Sequence, residues 1–141
     1  MSGSRLADVR RLRFERHGRD GALTVYPADD PAGVPFPMAR LFTLSGIAAG
    51  GERGHHAHRE CTQLLVAFAG HASLRLDDGH GEQTFELDSP AAGVLVPPGL
   101  WITVAFAGPA TVVGVFCDRP FAESDYIRDR AEFRALKARG E

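Results

Sequence analysis

The chain has 141 residues, of which 44% are hydrophobic and 24% are charged, as is typical of one globular domain with its own core. Its formal net charge of −2 excludes a global electrostatic field that would recruit nucleic acid or an anionic membrane surface. No apolar run has the length of a membrane span, and the first residues lack the pattern of a signal peptide.

Short apolar runs separated by glycine and proline recur along the chain and predict an all-β barrel or sandwich in a single domain, residues 1–141. We expect residues 1–10 to be flexible. In chain order, the predicted strands are residues 12–16, 22–26, 40–44, 63–68, 72–76, 83–87, 93–96, 102–106 and 111–116. Asp78 and Gly79 lie between two of these strands and predict a tight hairpin turn.

The pattern changes near the C-terminus, where residues 125–139 form a predicted helical segment. Helix formers fill its last eleven positions, and the run stops at Gly140. The candidate docking stripe of this helix consists of Ala131, Ala135 and Ala138 with Phe133 or Leu136. The predicted architecture is therefore a β-barrel with one short C-terminal helix.

Two cysteines, Cys61 and Cys117, form neither a disulfide framework nor the C-x-x-C spacing of a zinc site. We expect both to be reduced thiols in or near the core, not close to one another, in a cytoplasmic protein. Fifteen of the sixteen basic residues are arginine, which either suits bidentate capture of phosphate or carboxylate or reflects a coding bias.

Three of the six histidines, His55, His56 and His58, lie within four positions. Residues i and i+2 of an extended segment point to the same face, so His56 and His58 are expected to project together and His55 the other way. One face of a barrel strand is the interior, which would place this pair at the mouth of a cavity. There the two rings could hold a metal, move a proton on a substrate, or pack.

Two segments match the motifs of cupins. The pattern GxxxxxHxHxxxxQxxxxxxG, which begins at Gly50, is the first motif with glutamine where glutamate is usual. GVLVPPGLWI, residues 93–102, is the second motif, but it has Ile102 where histidine is expected. Together they predict a small cupin jelly-roll barrel.

A metal centre in this barrel would need more donors than the motifs provide. Metal cupins use three histidines and a carboxylate, and a catalytic metal needs at least three good protein ligands. His56 and His58 are present, but Gln63 is a weak neutral donor and Ile102 offers no donor atom. We therefore expect no metal and no other cofactor.

Three longer segments resemble one particular cupin family, the WxcM-like sugar 3,4-ketoisomerases that act on a dTDP-4-keto-6-deoxyhexose. These segments are RGHHAHRECTQLLVAFAGHASLRLDDG, ELDSPAAGVLVPPGLW and ESDYIRDRAEF. The resemblance extends from about residue 12 to the C-terminal helix. It implies a metal-independent isomerase of deoxysugar biosynthesis that binds a dTDP-linked sugar and forms a homodimer.

The resemblance also implies a mechanism and a set of site residues. A histidine of the H-A-H block takes the proton from C3 of the sugar, an enediol forms, and the proton returns to C4. His56 and His58 are the catalytic candidates, with a slight preference for His58 as the base. The candidate substrate-binding residues are Arg40, Arg53, Gln63, Trp101, Tyr126 and Arg128. Packing and capping are alternative roles for the last three, and a solvated loop is the alternative for Arg53.

The chain departs from this family at three positions that bear on activity. Phe42 and Thr43 stand where the family commonly has tyrosines that are thought to assist proton transfer, and Ile102 replaces a histidine that often follows the tryptophan. Two alternatives to an isomerase therefore stay open. One is a non-catalytic cupin that binds a nucleotide sugar, and the other is a metal-dependent cupin enzyme that recruits His55 or Gln63.

Overall fold

Two five-stranded antiparallel sheets, packed face to face, form the body of the protein in a computed structural model that describes residues 3–140. In chain order the strands are β1 (Arg10–Arg13), β2 (Arg16–His17), β3 (Leu23–Thr24), β4 (Arg40–Leu44), β5 (Glu52–His58), β6 (Gln63–Ala69), β7 (Ala72–Asp77), β8 (Glu82–Leu87), β9 (Ala92–Val96), β10 (Trp101–Phe106), β11 (Val112–Cys117) and β12 (Tyr126–Ile127). The first sheet has the order β1-β9-β6-β11-β4, and the second has the order β12-β5-β10-β7-β8. Strands β2 and β3 form a separate small hairpin.

This arrangement confirms the predicted all-β jelly-roll fold. Hydrogen bonds do not join the two sheets into a closed barrel within residues 3–140, so the architecture is a two-sheet jelly roll. Each predicted strand overlaps an observed one, and the turn at Asp78 and Gly79 joins β7 to β8 as expected. The prediction missed β5 as a strand, although it treated the histidine segment as extended.

The main hydrophobic core lies between the two sheets. Leu65 and Val115 of the first sheet and Leu76 and Val104 of the second are almost completely buried there. These side chains alternate with residues on the outer faces, because successive residues of a strand point to opposite sides. Burial of this apolar surface provides the main driving force that holds the two sheets together.

A single α-helix, α1 (Arg130–Ala138), covers the outer face of the second sheet. Asp129 caps it by accepting hydrogen bonds from the backbone N–H groups of Ala131 and Glu132 at 2.8 and 3.3 Å. Residue 125 belongs to a 3-10 turn (Glu123–Asp125), and β12 separates this turn from the helix. No helix described in residues 3–140 is long and apolar enough to cross a membrane.

The predicted docking stripe of α1 was wrong in its alanines, whereas its two large residues, Phe133 and Leu136, do pack against the sheet. Its three alanines, Ala131, Ala135 and Ala138, are exposed, whereas Phe133 is fully buried and Leu136 is half-buried. The physical reason is the position of Trp101 on the sheet beneath, because the large ring of Phe133 packs on it with a centroid distance of 5.6 Å.

The N-terminal segment lies against the turn between β7 and β8. Residues 6–8 form a 3-10 turn, and the Asp78 carboxylate accepts a hydrogen bond from the backbone N–H of Leu6 at 2.9 Å. Lys137 of α1 donates to the backbone carbonyl of Ser4 at 2.7 Å. Flexibility of residues 1–10 stays a prediction, and residues 1 and 2 lie outside the described part of the chain.

Candidate functional site

A pocket of about 270 Å³ lies between the two sheets. Its apolar side is formed mainly by Phe42, Leu65, Ile102, Val104 and Val115, and its polar side by Arg53, His56, Gln63, Tyr126 and Arg128. An apolar cavity with a few convergent polar groups is the usual form of a small-molecule site. The polar residues come from three separate parts of the chain, which the jelly-roll topology brings together.

A bulge in β5 determines how the histidines face this pocket. Gly54 pairs with Thr103 and His56 with Ile102, so His55 is an extra residue without a partner in β10. Gly54 and His55 have φ values of 100° and 57°, and such positive values are uncommon for a residue other than glycine. The bulge turns His55 outward, where it lies 3.5 Å from Glu52, and leaves His56 facing inward.

His56 presents one unoccupied ring nitrogen to the pocket. Its Nδ1 lies 3.1 Å from the backbone carbonyl of Gly54, which accepts only from an N–H group and so favours the Nδ1–H tautomer. The lone pair is then on Nε2. Burial, with the nearby His58 ring as a smaller contribution, lowers the pKa of His56 to about 4. His56 is therefore a neutral imidazole at neutral pH, able to accept a proton.

His58 lies behind His56 and is 2% exposed. Its Nδ1 donates to the Asp125 carboxylate at 2.8 Å, and Asp125 also accepts from the backbone N–H of Glu60 at 2.7 Å. Burial lowers the pKa of His58, although the Asp125 carboxylate acts in the opposite direction. For Asp125, burial works to raise the pKa, but the hydrogen bonds from His58 and Glu60 outweigh it and leave the pKa lowered.

Tyr126 completes an aromatic cluster with the two histidines. Its ring centroid lies 4.9 Å from that of His56 and 4.4 Å from that of His58, and the two histidine rings are 4.9 Å apart. Strand β12 holds it there, since Tyr126 pairs directly with His58 across the sheet. The pocket thus contains a phenol beside a neutral imidazole.

Two arginines lie at the exposed side of the pocket. Arg53 donates to the backbone carbonyl of Glu52 at 2.7 Å. Arg128 forms a two-pronged ion pair with Glu123, at 2.6 and 3.0 Å, and lies over the Tyr126 ring at 4.4 Å. Both guanidinium groups are exposed enough to exchange these contacts for those of an anionic ligand.

Three predicted site residues do not line the pocket. His58 is behind it, as described above. Trp101 is 4% exposed and packs between Phe133 and the Arg130 guanidinium, so the structure favours its alternative role in the core. Arg40 lies beside the pocket, stacked over the rings of Phe42 and Phe121.

The expectation that the two cysteines lie apart was wrong. Both are buried, and their sulfurs are near enough to influence each other's ionisation, while the Cys61 thiol donates to the backbone carbonyl of Thr62 at 3.5 Å. The cause is strand register: Cys117 pairs with Gln63, and Cys61 precedes Gln63 by two positions and so can reach the same face. Sequence spacing alone did not show this pairing.

Asp125 was also missed, although it directly precedes the predicted residue Tyr126. Together with His58 and Cys61 it forms a group of donors that lie within 4.8 Å of one another. Two of these groups already have hydrogen-bond acceptors, because His58 donates to Asp125 and the Cys61 thiol donates to the backbone carbonyl of Thr62 at 3.5 Å. The neighbouring Cys117 and, after it, burial raise the pKa of Cys61 and keep it a thiol. Zinc binds the thiolate form, so we assign this group a hydrogen-bonding role.

The fold and this site define a small jelly-roll cupin whose pocket is equipped for acid–base chemistry. Residues 4–138 match the family described as "FdtA: WxcM-like, C-terminal". A curated relative, TDP-4-oxo-6-deoxy-alpha-D-glucose-3,4-oxoisomerase of Aneurinibacillus thermoaerophilus, is 33% identical over 75% of this chain and 76% of its own length. The chain belongs to this family.

Solved structures show the same fold. The sugar 3,4-ketoisomerase QdtA of Thermoanaerobacterium thermosaccharolyticum, in complex with TDP, superposes with a TM-score of 0.89 at 24% identity, over 96% of this chain and 98% of that one. The TDP-fucose-3,4-ketoisomerase WlaRA of Campylobacter jejuni gives a TM-score of 0.84 at 23% identity, over 92% and 96% of the two chains.

Proposed function

We propose that this protein is a sugar-nucleotide 3,4-ketoisomerase, which converts a dTDP-4-keto-6-deoxyhexose to its 3-keto isomer in deoxysugar biosynthesis. The observation that carries the proposal is the neutral His56 ring, which lines the pocket and whose Nε2 carries the lone pair. The activity of the curated relative, at 33% identity, supports it. The reaction is redox-neutral within the substrate and consumes no cofactor.

The proposed reaction is a proton transfer between two neighbouring carbons. His56 Nε2 accepts the proton from C3 of the sugar, and the C3–H electrons form the double bond of an enediolate whose charge lies on the C4 oxygen. The C3 hydroxyl then gives its proton to the C4 oxygen, which moves the enediolate charge to the C3 oxygen. The C4 carbon takes the proton from the imidazolium as the C3 ketone forms, so that a C4 hydroxyl and a neutral imidazole are left. A histidine suits both steps because it accepts and returns a proton near neutral pH.

Two neighbours of His56 are assigned supporting roles. His58, fixed by Asp125, holds the His56 ring edge-on, and burial, with His58 as a smaller contribution, keeps the pKa of His56 low. We therefore assign the base to His56 rather than to His58. The Tyr126 hydroxyl is the group that we propose donates to the developing enediolate oxygen. Tyr126 would thereby replace the phenol that is missing at Phe42.

The remaining pocket residues fit the parts of a nucleotide sugar. Arg53 and Arg128 are proposed to bind the diphosphate, which guanidinium groups recognise in a bidentate manner. Gln63 is proposed to bind a sugar hydroxyl, and Phe42 and Ile102 to contact the apolar C6 methyl group. Ile102 is then a pocket wall in this chain rather than a lost metal ligand.

The test is turnover of dTDP-4-keto-6-deoxyglucose in deuterated water with a chelator present. We expect the 3-keto product, detected by nuclear magnetic resonance, with deuterium at C4 in the molecules for which the imidazolium exchanges its proton with the solvent before returning it. His56→Asn should lower the rate by about two to four powers of ten while dTDP still raises the melting temperature. The matched control His55→Asn, at an exposed ring, should keep full activity. No product from the wild-type protein, or full activity in His56→Asn, would contradict the proposal.

We also propose a homodimer. Strand β4 is the last strand of its sheet, so its outer edge is free to pair with a second copy, and Leu41 on it is 48% exposed. Light scattering after size exclusion should give about twice the chain mass of 15.2 kDa, and a mass of one chain would contradict it.

A reducing compartment such as the cytoplasm suits the two buried free thiols.

A further inference from the structure

The sulfur of Cys117 is a point where two hydrogen-bond donors converge. Cys117 lies on the interior strand β11, paired with Arg40 of β4 on one side and with Gln63 of β6 on the other. Arg40 Nη2 and Gln63 Nε2 each lie 3.5 Å from its Sγ. Strand register therefore places two donors, one of them a guanidinium, beside one fully buried sulfur.

Arg40 lacks any other anionic partner in the part of the chain that the structure describes. No carboxylate of residues 3–140 lies within ion-pair distance of its guanidinium, and its Nε is buried without a hydrogen-bond partner. Phe42 and Phe121 flank it with their rings. A half-buried charge in such surroundings is costly unless an opposite charge is near.

We propose that Cys117 is a thiolate that forms an ion pair with Arg40 and thereby positions Arg40 and Gln63 beside the pocket. The neighbouring Cys61 and the contacts with Arg40 and Gln63 lower the pKa of Cys117, whereas the neighbouring Cys117 raises that of Cys61. In the proposed state Cys117 is ionised, and Cys61 keeps the proton with which it donates to the Thr62 carbonyl at 3.5 Å. Asp118 and Asp125 also face Cys61 and oppose its ionisation.

The thiolate acts on the pocket through two side chains. Gln63 lines the pocket and donates one N–H of its side-chain amide to the sulfur. This orients the amide so that its carbonyl oxygen can accept a hydrogen bond. Arg40 also lies near Tyr126, which contributes to raising the pKa of Arg40. Cys117 is therefore a positioning residue for Gln63 and Tyr126, and this part of the inference rests on the proposed isomerase function.

Thiolate absorbance at about 240 nm tests the charge state without any enzyme assay. At about pH 7, where an ordinary cysteine is mostly a thiol, the wild-type protein should show about one thiolate per chain. Cys117→Ser should abolish this signal and Arg40→Met should move its titration to higher pH. Cys61→Ser, which keeps a hydroxyl donor, should retain the signal. No excess absorbance in the wild type over Cys117→Ser would overturn the proposal.

Kinetics of the same variants test the positioning role. Cys117→Ser should lower kcat by about ten- to hundredfold, the usual effect of losing a charge-assisted hydrogen bond. Cys117→Asp, which restores an anion, should recover most of this loss, whereas the neutral Cys117→Ala should not. Equal activities of the aspartate and alanine variants would overturn the positioning role. A thiolate signal in a wild-type protein without turnover would instead refute only the proposed isomerase function.

Discussion

Three neighbouring histidines of β5 have three different environments. His55 is exposed beside Glu52, His56 is half-buried with one nitrogen facing the pocket, and His58 is buried against Asp125. Burial disfavours the charged imidazolium, so the pKa falls for the two buried rings. The environment of each ring, rather than its residue type, gives His56 the properties of a base.

The lowered pKa of His56 predicts an unusual pH profile. A base must be deprotonated to act, so kcat/KM should stay constant as the pH falls below the ordinary histidine value of about 6.5. It should decline only as the pH approaches about 4, where His56 becomes protonated. Initial rates measured from neutral to acidic pH, with circular dichroism as the control for folding, provide the test. A decline centred near pH 6.5 would contradict the assignment of His56.

At this scale, local spacing predicted only part of the site. The i and i+2 relation correctly placed His56 and His58 on one face and His55 on the other. It gave no means of finding Asp125, which lies 67 positions from His58 in the sequence. The contact between Cys61 and Cys117 was missed for the same reason, since it depends on the register between strands.

The bulge in β5 turns His55 outward toward Glu52 and leaves His56 facing the pocket. A side chain at Gly54 would have its Cβ 2.7 Å from the backbone carbonyl oxygen of Ile102, closer than real Cβ contacts come. The same glycine carbonyl accepts the hydrogen bond from His56. The geometry of the bulge and the tautomer of the base are therefore coupled through one residue.

Gly54→Ala should consequently reduce both stability and activity. Its φ of 100° is unfavourable for alanine, and the added methyl group must push β10 away, so we expect a loss of about 1–3 kcal/mol in the free energy of unfolding. The turnover rate should fall by more than the loss of folded protein explains, because His56 is displaced from its position in the pocket. Urea denaturation and turnover measure the two effects. Gly81→Ala, at an open position on the β7–β8 turn, is the matched control, and an equal effect there would refute the explanation.

Helix α1 shows how far a periodic pattern predicts an element. Composition and the stop at Gly140 predicted the C-terminal end of the helix to within a residue. The predicted start at residue 125 was five positions too early, because the end of a 3-10 turn and strand β12 occupy residues 125–127. The face that docks was not predictable from its alanines. It is determined by Trp101 on the sheet below and by Ser4, whose carbonyl accepts from the buried Lys137.

At the scale of the whole molecule, the two sheets enclose the pocket and His56, which lines it. The motifs predicted this jelly roll because alternation and turn signals are local properties of the sequence. The pocket could be located only approximately, since its walls combine β4, β6 and β11 of one sheet with β5, β10 and β12 of the other. Their relative placement follows from packing of the complete core.

Folding stability should decrease as the pH falls from about 6.5 toward 4. In the unfolded chain His56 takes up a proton near pH 6.5, whereas in the folded protein it does so only near pH 4, so acid favours the unfolded state. This difference is worth about 3 kcal/mol at pH 4, and His58 adds to it in the same direction. Chemical denaturation at a series of pH values measures it. His56→Asn should show a shallower dependence, and an unchanged slope would contradict the assignment.

The contact between His58 and Asp125 has a consequence for the order in which the protein acquires its site during translation. Eleven of the twelve strands precede Asp125 in the chain, so a nascent polypeptide that stops short of it already contains nearly all of both sheets. It still lacks the carboxylate for His58, the phenol of Tyr126 and the strand that borders β5. A chain that ends before Asp125 is therefore expected to be catalytically immature, although it contains nearly all the strands of both sheets.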